Sequence, residues 1–312
     1  MSTDCHSSQE QDEPEANVFF HAKDLYLEQP FVDPPSLTIK KQPDTTSFRP
    51  ELTSLLSSLS GDGVLVMLPT ENEDKAEVLK GVVPSGFDAR FEVVKSKSDV
   101  GEQPYNRAGI QGAMNRIKNA LEIFVTDSSP LGSAQAFCQL HNIGRILVMA
   151  IENYITGTDI SYEGDLNPDL LDLIPVDDSD AIVSEKGWTL DSPVDFGFAC
   201  LYDTSRDMVF TAHSRGVRIP FVKTESGDID FVAYAKSKGY IDGNRNHGAQ
   251  TVGKAIKALV RPAQGRNYSI SANWHGDVTG WIVTRYDLLK EAVAKVQDEA
   301  IKAGVFQANQ TA

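Results

Sequence analysis

Ser133–Ile155 reads SAQAFCQLHNIGRILVMAIENYI. Within it Phe137, Leu140, Gly144, Leu147, Ile151 and Tyr154 recur at intervals of three or four residues, the spacing that lines one face of an α-helix. Cys138, Ile143, Ile146, Val148 and Ile155 widen the apolar surface until little polar surface is left. A helix so apolar belongs in a core, so the spacing predicts one buried central helix over 133–155. Its longest apolar run, Ile146–Ile151, ends far short of the ~20 residues of a membrane span, and Arg145 precedes it.

Outward from this stretch the pattern is that of an α+β fold. On the N-terminal side, Ala108–Val125 is amphipathic, with Ile110, Ala113, Met114, Ile117, Leu121 and Phe124 on one face and Arg116, Lys118 and Glu122 expected outward. Val64–Leu68 is an unbroken apolar run and Phe91–Lys95 a second short strand, with helices expected at Glu51–Leu59 and Lys75–Lys80. Five prolines between Pro30 and Pro50 exclude a long helix and predict an extended arm with short strands near Asn17–Phe20 and Leu37–Lys40.

On the C-terminal side, Phe196–Tyr202 and Met208–Ala212 alternate about a turn at Asp203–Asp207, a hairpin signature, with Val217–Lys223 expected as a third antiparallel strand. Helices are expected at 228–238, capped by Asp228, at 249–260, and at 288–303, capped by Asp287. Tyr268–Trp274 and Trp281–Arg285 read as strands. The expected fold is therefore α+β, a mostly antiparallel sheet packed with about five or six helices. The expected organisation is an acidic disordered tail (1–16), a Pro-rich arm (17–50), a mixed half (51–158), an acidic linker (159–180), a second α+β half (181–304) and a short tail (305–312).

The chain has 312 residues and a net charge of −15, unevenly placed. Residues 1–16 hold five acidic side chains and 159–180 hold eight, neither with any Lys or Arg, so the remaining body is nearly neutral. Cys5, Cys138 and Cys200 form no metal-type spacing, and the apolar settings of Cys138 and Cys200 predict buried, reduced thiols. With no apolar targeting segment at the N-terminus, a cytoplasmic or otherwise intracellular location is expected, without a classical signal peptide and without a membrane partner.

One segment runs against the overall charge. Lys236, Lys238, Arg245, Lys254, Lys257, Arg261 and Arg266 face only Asp242 between residues 236 and 266. Lys and Arg neutralise phosphates, Asn246 and its neighbours add hydrogen bonds, and aromatic rings at Tyr240 and Trp274 offer stacking faces. Arg245, Asn246, His247, Lys254, Lys257, Arg261, Arg266, Tyr240 and Trp274 are accordingly the candidate ligand-binding residues. Within this segment GAQTVGKA (Gly248–Ala255) falls one residue short of a phosphate loop, because Ala255 stands where a metal-holding Ser or Thr is needed. Asp165, Asn167 and Asp169 start like a calcium loop, but Leu170 and Val176 occupy the places of its Gly and Glu. No metal and no cofactor are expected.

Catalytic candidates are His247, His275, Asp277 and His213, with Ser214 as a nucleophile only if the fold brings an imidazole to it. Three functional readings follow. The first is a non-enzymatic assembly or binding protein, coat-like or strand-binding, contacting nucleic acid or another polyanion through 236–266 and associating with itself. The second is an enzyme acting on an anionic or phosphate-bearing substrate with His247, His275 or His213. The third is a scaffold of charge-paired subunits. The first is preferred, and a homo-oligomer is expected.

Overall fold

The structure is a computed structural model that describes residues 20–34, 43–105, 107–126, 133–156, 193–224, 227–240, 247–248, 250–261 and 270–307. The acidic tail, the acidic segment 159–180 and the predicted strand at Leu37–Lys40 lie outside these residues.

Six strands form one mixed sheet: β2 (Phe31–Val32), β3 (Gly63–Leu68), β4 (Arg90–Val93), β6 (Ile143–Thr156), β7 (Val194–Asp203) and β8 (Met208–Arg218), in the order β2-β8-β7-β6-β3-β4. The β3–β4 and β3–β6 pairs are parallel, whereas β6–β7, β7–β8 and β8–β2 are antiparallel. The expectation of a mostly antiparallel sheet is corrected to a mixed one within the α+β class. The connection from β3 to β4 through α2 (Glu73–Lys80) and the long one from β4 to β6, which includes α3 (Arg107–Val125), make the β3–β4–β6 part parallel. Strands from both sides of the 159–180 segment thus pair in one sheet.

The predicted central helix 133–155 is corrected most. It is a two-turn helix, α4 (Ala134–Leu140), a tight turn with Asn142 at φ 52°, and the 14-residue strand β6 at the middle of the sheet. Ile146, Val148, Ala150 and Tyr154 enter the core on one face of the sheet, with α1 (Arg49–Ser58), α3 and α4. Leu147, Met149 and Ile151 enter the core on the other, with α2 and α8 (Arg285–Lys302). A strand covered on both faces needs apolar residues at every position, so the alternation that marks a strand disappears. The expected hairpin stands as β7 and β8, and β7 is buried along its whole length for the same reason.

Smaller corrections follow local chemistry. Val217 belongs to β8, while Phe221–Thr224 (β9) turns back to pair with Gly227–Asp230 (β10). The helix predicted from 228 therefore starts later, as α5 (Phe231–Ser237). The helix predicted at 249–260 is α6 (Val252–Leu259). The strand predicted at 268–274 is contradicted by helix α7 (Ile270–Val278), kinked at Asn273, and no strand forms at 281–285, where α8 begins. Asp287 is the third residue of α8, not its cap. Thr284 caps, and the two side chains form a reciprocal capping box.

Helices α5, α6 and α7 share a third core with Leu25, Ile155, Val217 and Leu288. Short ladders tie this unit to the rest. The strand β1 (Phe20–His21) pairs with β12 (Val260–Arg261), and β5 (Gln103–Pro104) pairs with β11 (His247–Gly248). Among the described residues no helix is long and apolar enough to cross a membrane.

Candidate anion-binding cleft

Strands β3, β4 and β6 run the same way, and the chain leaving β3 and β4 opens a cleft of about 620 Å³ beyond their carboxyl ends. Helix α2 covers one face of the sheet and α3 the other, so the two loops diverge. That is the position at which parallel sheets commonly hold ligands. The walls are Thr70–Asn72 after β3, Ser96–Glu102 after β4, and Thr251 ahead of α6.

The floor is charged. Glu152 lies on β6 beyond the last residue that pairs with β3, with its side chain only 6% exposed. Lys75 Nζ donates to its Oε1 at 3.2 Å and Arg116 Nε to its Oε2 at 3.2 Å. Arg285, the first residue of α8, also lines the cleft, and its Nε donates to Asn153 Oδ1 at 2.8 Å. Burial alone would raise the Glu152 pKa, but Lys75, Arg116 and Arg285 outweigh it and hold the carboxyl below the usual range. Burial, with Arg285 and Arg116 adding to it, pulls the Lys75 amine below its ordinary value despite the attraction of Glu152.

Each of these side chains has a local cause. Asn72 caps α2 by accepting from Lys75 N at 2.9 Å, which places Lys75 in the first turn and aims it at the strand ends. On α3, Gly112 sits one turn before Arg116. A Cβ there would meet Val100 Cγ2 at 2.7 Å and Glu152 Cγ at 3.7 Å, so its absence lets the helix lie against the loop and the carboxylate. The loop after β4 is stitched to α3. Arg116 Nη1 donates to Ser96 O at 2.9 Å, Asn115 Nδ2 to Ser98 O at 2.8 Å and Asn119 Nδ2 to Asp99 Oδ2 at 2.7 Å. On the opposite strand Gly197 faces Asn153, and a Cβ there would come within 3.0 Å of Leu288 O. The bare strand lets the first turn of α8 rest on the sheet, which sets Arg285 over Asn153.

Three cations and one carboxylate leave the floor with two uncompensated positive charges. The other acidic side chains of the lining, Glu71, Asp99 and Glu102, are exposed at the mouth, where water screens them. Three helix N-termini also face this space, those of α2, α8 and α6. Thr251, the N-cap of α6, lines the cleft and makes no side-chain capping bond. Free N–H groups and the positive helix ends add to the pull on an anion. Conversely, a cation in the first turn of a helix is unfavourable by itself. Both Lys75 and Arg285 stand in such turns, an arrangement that a bound anion would relieve.

The residues singled out in the sequence fall elsewhere. Lys254 and Lys257 are exposed on α6, and Tyr240 is half-buried against the third core. Trp274, expected as a stacking face, is 3% exposed and packs within that core against His275, rings 3.9 Å apart, so no base can reach it. Arg245, Asn246 and Arg266 lie outside the described residues, as do the side chains of His247 and Arg261, whose backbones pair with Pro104 and His21. Asp277 is buried on α7. His275 is 1% exposed and its Nε2 meets Asp195 Oδ2 at 2.8 Å. His213 is enclosed by Phe198, Tyr154 and Phe196, and burial with Lys295 nearby lowers its pKa to about 4. Ser214 is buried, donates to Arg215 O and accepts from Gly197 N, which commits it to the strand irregularity there. Neither His213 nor His275 lines the cleft.

Lys75, Arg116, Glu152, Asn153 and Arg285 were not singled out as a site. Arg116, expected outward from the pattern of α3, has a side chain 19% exposed and bonded to Glu152. The available signal was Glu152–Asn153 itself, two polar residues interrupting a run that is otherwise buried on both sides. No protein-family model matches the chain, and no curated protein matches its sequence.

Proposed function

We propose that this chain binds a small phosphate-bearing molecule in the cleft between Lys75, Arg116 and Arg285. The observation that carries the reading is the recessed floor, where three cations surround a single buried carboxylate. Lys and two guanidiniums at the mouth of helix N-termini are the groups that hold phosphate oxygens. The site is enclosed by loops on three sides and suits a small ligand better than a polymer. Among the described cations of the basic segment, Lys236, Lys238, Lys254 and Lys257 are exposed and lie outside the cleft floor.

A melting-temperature panel tests this. Phosphate monoesters are compared with sodium chloride at matched ionic strength and with a short single-stranded oligonucleotide. The expected result is a saturable rise with the monoesters that Lys75→Met and Arg116→Met each abolish. No rise, or a rise indifferent to both substitutions, overturns the reading. A rise with the oligonucleotide alone, lost in Lys254→Glu plus Lys257→Glu, returns the function to polyanion binding.

A further inference from the structure

The third cation of the cleft depends on a residue that does not line it. Asn153 is 1% exposed on β6, and its Oδ1 accepts from Arg285 Nε at 2.8 Å, the one side-chain hydrogen bond of Arg285 among the described residues. The buried Glu152 carboxylate attracts the guanidinium, but the positive end of α8 and two other cations of the cleft oppose it, and Asn153 is the group whose hydrogen bond fixes its position. The approach of α8 to the sheet, permitted by Gly197 opposite Asn153, brings the two side chains within reach. Without Arg285 the floor keeps Lys75, Arg116 and Glu152, one net positive charge. With it the floor carries two.

We propose that Asn153 is a positioning residue that fixes Arg285 over the cleft floor and thereby makes the cleft prefer doubly charged anions, such as a phosphate monoester, to singly charged ones, such as a phosphate diester. This rests on the anion reading above. A neutral carboxamide suits the task because it holds the guanidinium without cancelling its charge. An aspartate of the same shape would hold it and neutralise it. Asn153→Asp is therefore a change of one charge with little change of volume.

The experiment is isothermal titration of the full chain with phenyl phosphate and with its methyl ester, which share the ring and differ by one charge. In the wild type phenyl phosphate binds about tenfold more tightly or better, roughly the effect of one favourable charge contact. In Asn153→Asp the ratio falls to within about threefold, through weaker binding of phenyl phosphate. Arg285→Met, whose side chain is half-buried and makes no ion pair within 4.0 Å among the described residues, gives the same collapse should Asn153→Asp fail to fold. A purely structural role for Asn153 would weaken both ligands alike and leave the ratio unchanged. If the wild type binds both ligands equally, the anion site stands and this inference falls. If folded Asn153→Asp or Arg285→Met keeps the wild-type ratio, it falls as well. If neither ligand binds, the anion reading falls and takes this one with it.

Discussion

Arg145 and Asp203 meet in the interior, their side chains 11% and 0% exposed, and Arg145 also donates to Val305 O beyond the end of α8. Removing Arg145 leaves the buried Asp203 with only Ser205 N and Arg206, 3.8 Å away, as partners, and breaking such a buried pair typically costs about 3–5 kcal/mol. Arg145→Met is expected to destabilise the chain by that order in urea unfolding, and Arg145→Met with Asp203→Leu to recover much of the loss. His213 supplies a pH dependence with a definite sign. Its folded pKa, about 4, lies below the ordinary 6.5, so the unfolded chain binds the proton more readily. Stability is fully present above pH 6.5, declines as pH falls toward 4 and levels off below it, a change on the order of 3 kcal/mol. Equilibrium unfolding of wild type and His213→Gln across pH 4–7.5 should show the slope in the first and its loss in the second.

Elements show what a single sequence conceals. Helix α3 was legible because one of its faces is wet and the other is core, so the 3.6-residue period survives. Strand β6 was not, because both its faces are core, and an apolar run of that kind has no period to betray it. The β7–β8 hairpin was legible from its turn chemistry, Asp203–Asp207, whereas Tyr268–Trp274 offered β-prone aromatics and its described part, from Ile270 on, is helical under tertiary packing. Glycines within α3 carry a further expectation. Alanine normally stabilises a helix by about 1 kcal/mol over glycine. At Gly109 its Cβ would lie 2.2 Å from Tyr154 Cβ, so Gly109→Ala is expected to lower the melting temperature rather than raise it. At the start of α8, Thr284→Ala removes a capping box and is expected to cost about 1 kcal/mol, read by urea unfolding.

At the scale of the molecule, a mixed sheet is covered by helices on both faces, and a third core built from α5, α6 and α7 is joined to it by short ladders. The site was only partly legible. The basic segment 236–266 led the reading to its own cations, yet among the described residues none of its Lys or Arg lines the cleft, and Thr251 alone of that segment does. The charges that form the floor are 36 to 169 residues from Arg116 in the chain, at Glu152 and Arg285, and share no local spacing. Only the parallel arrangement of β3, β4 and β6 gathers them, and that arrangement was hidden behind the misread strand.

The most direct measurement is the pH profile of Lys75 acylation, followed by mass spectrometry with and without inorganic phosphate. A desolvated amine between two guanidiniums should become reactive at lower pH than an ordinary lysine, with the exposed Lys254 and Lys257 followed in the same digest. Bound phosphate should shield it and move its profile upward while leaving those two unchanged. A Lys75 that reacts like an ordinary lysine and ignores phosphate would contradict the account.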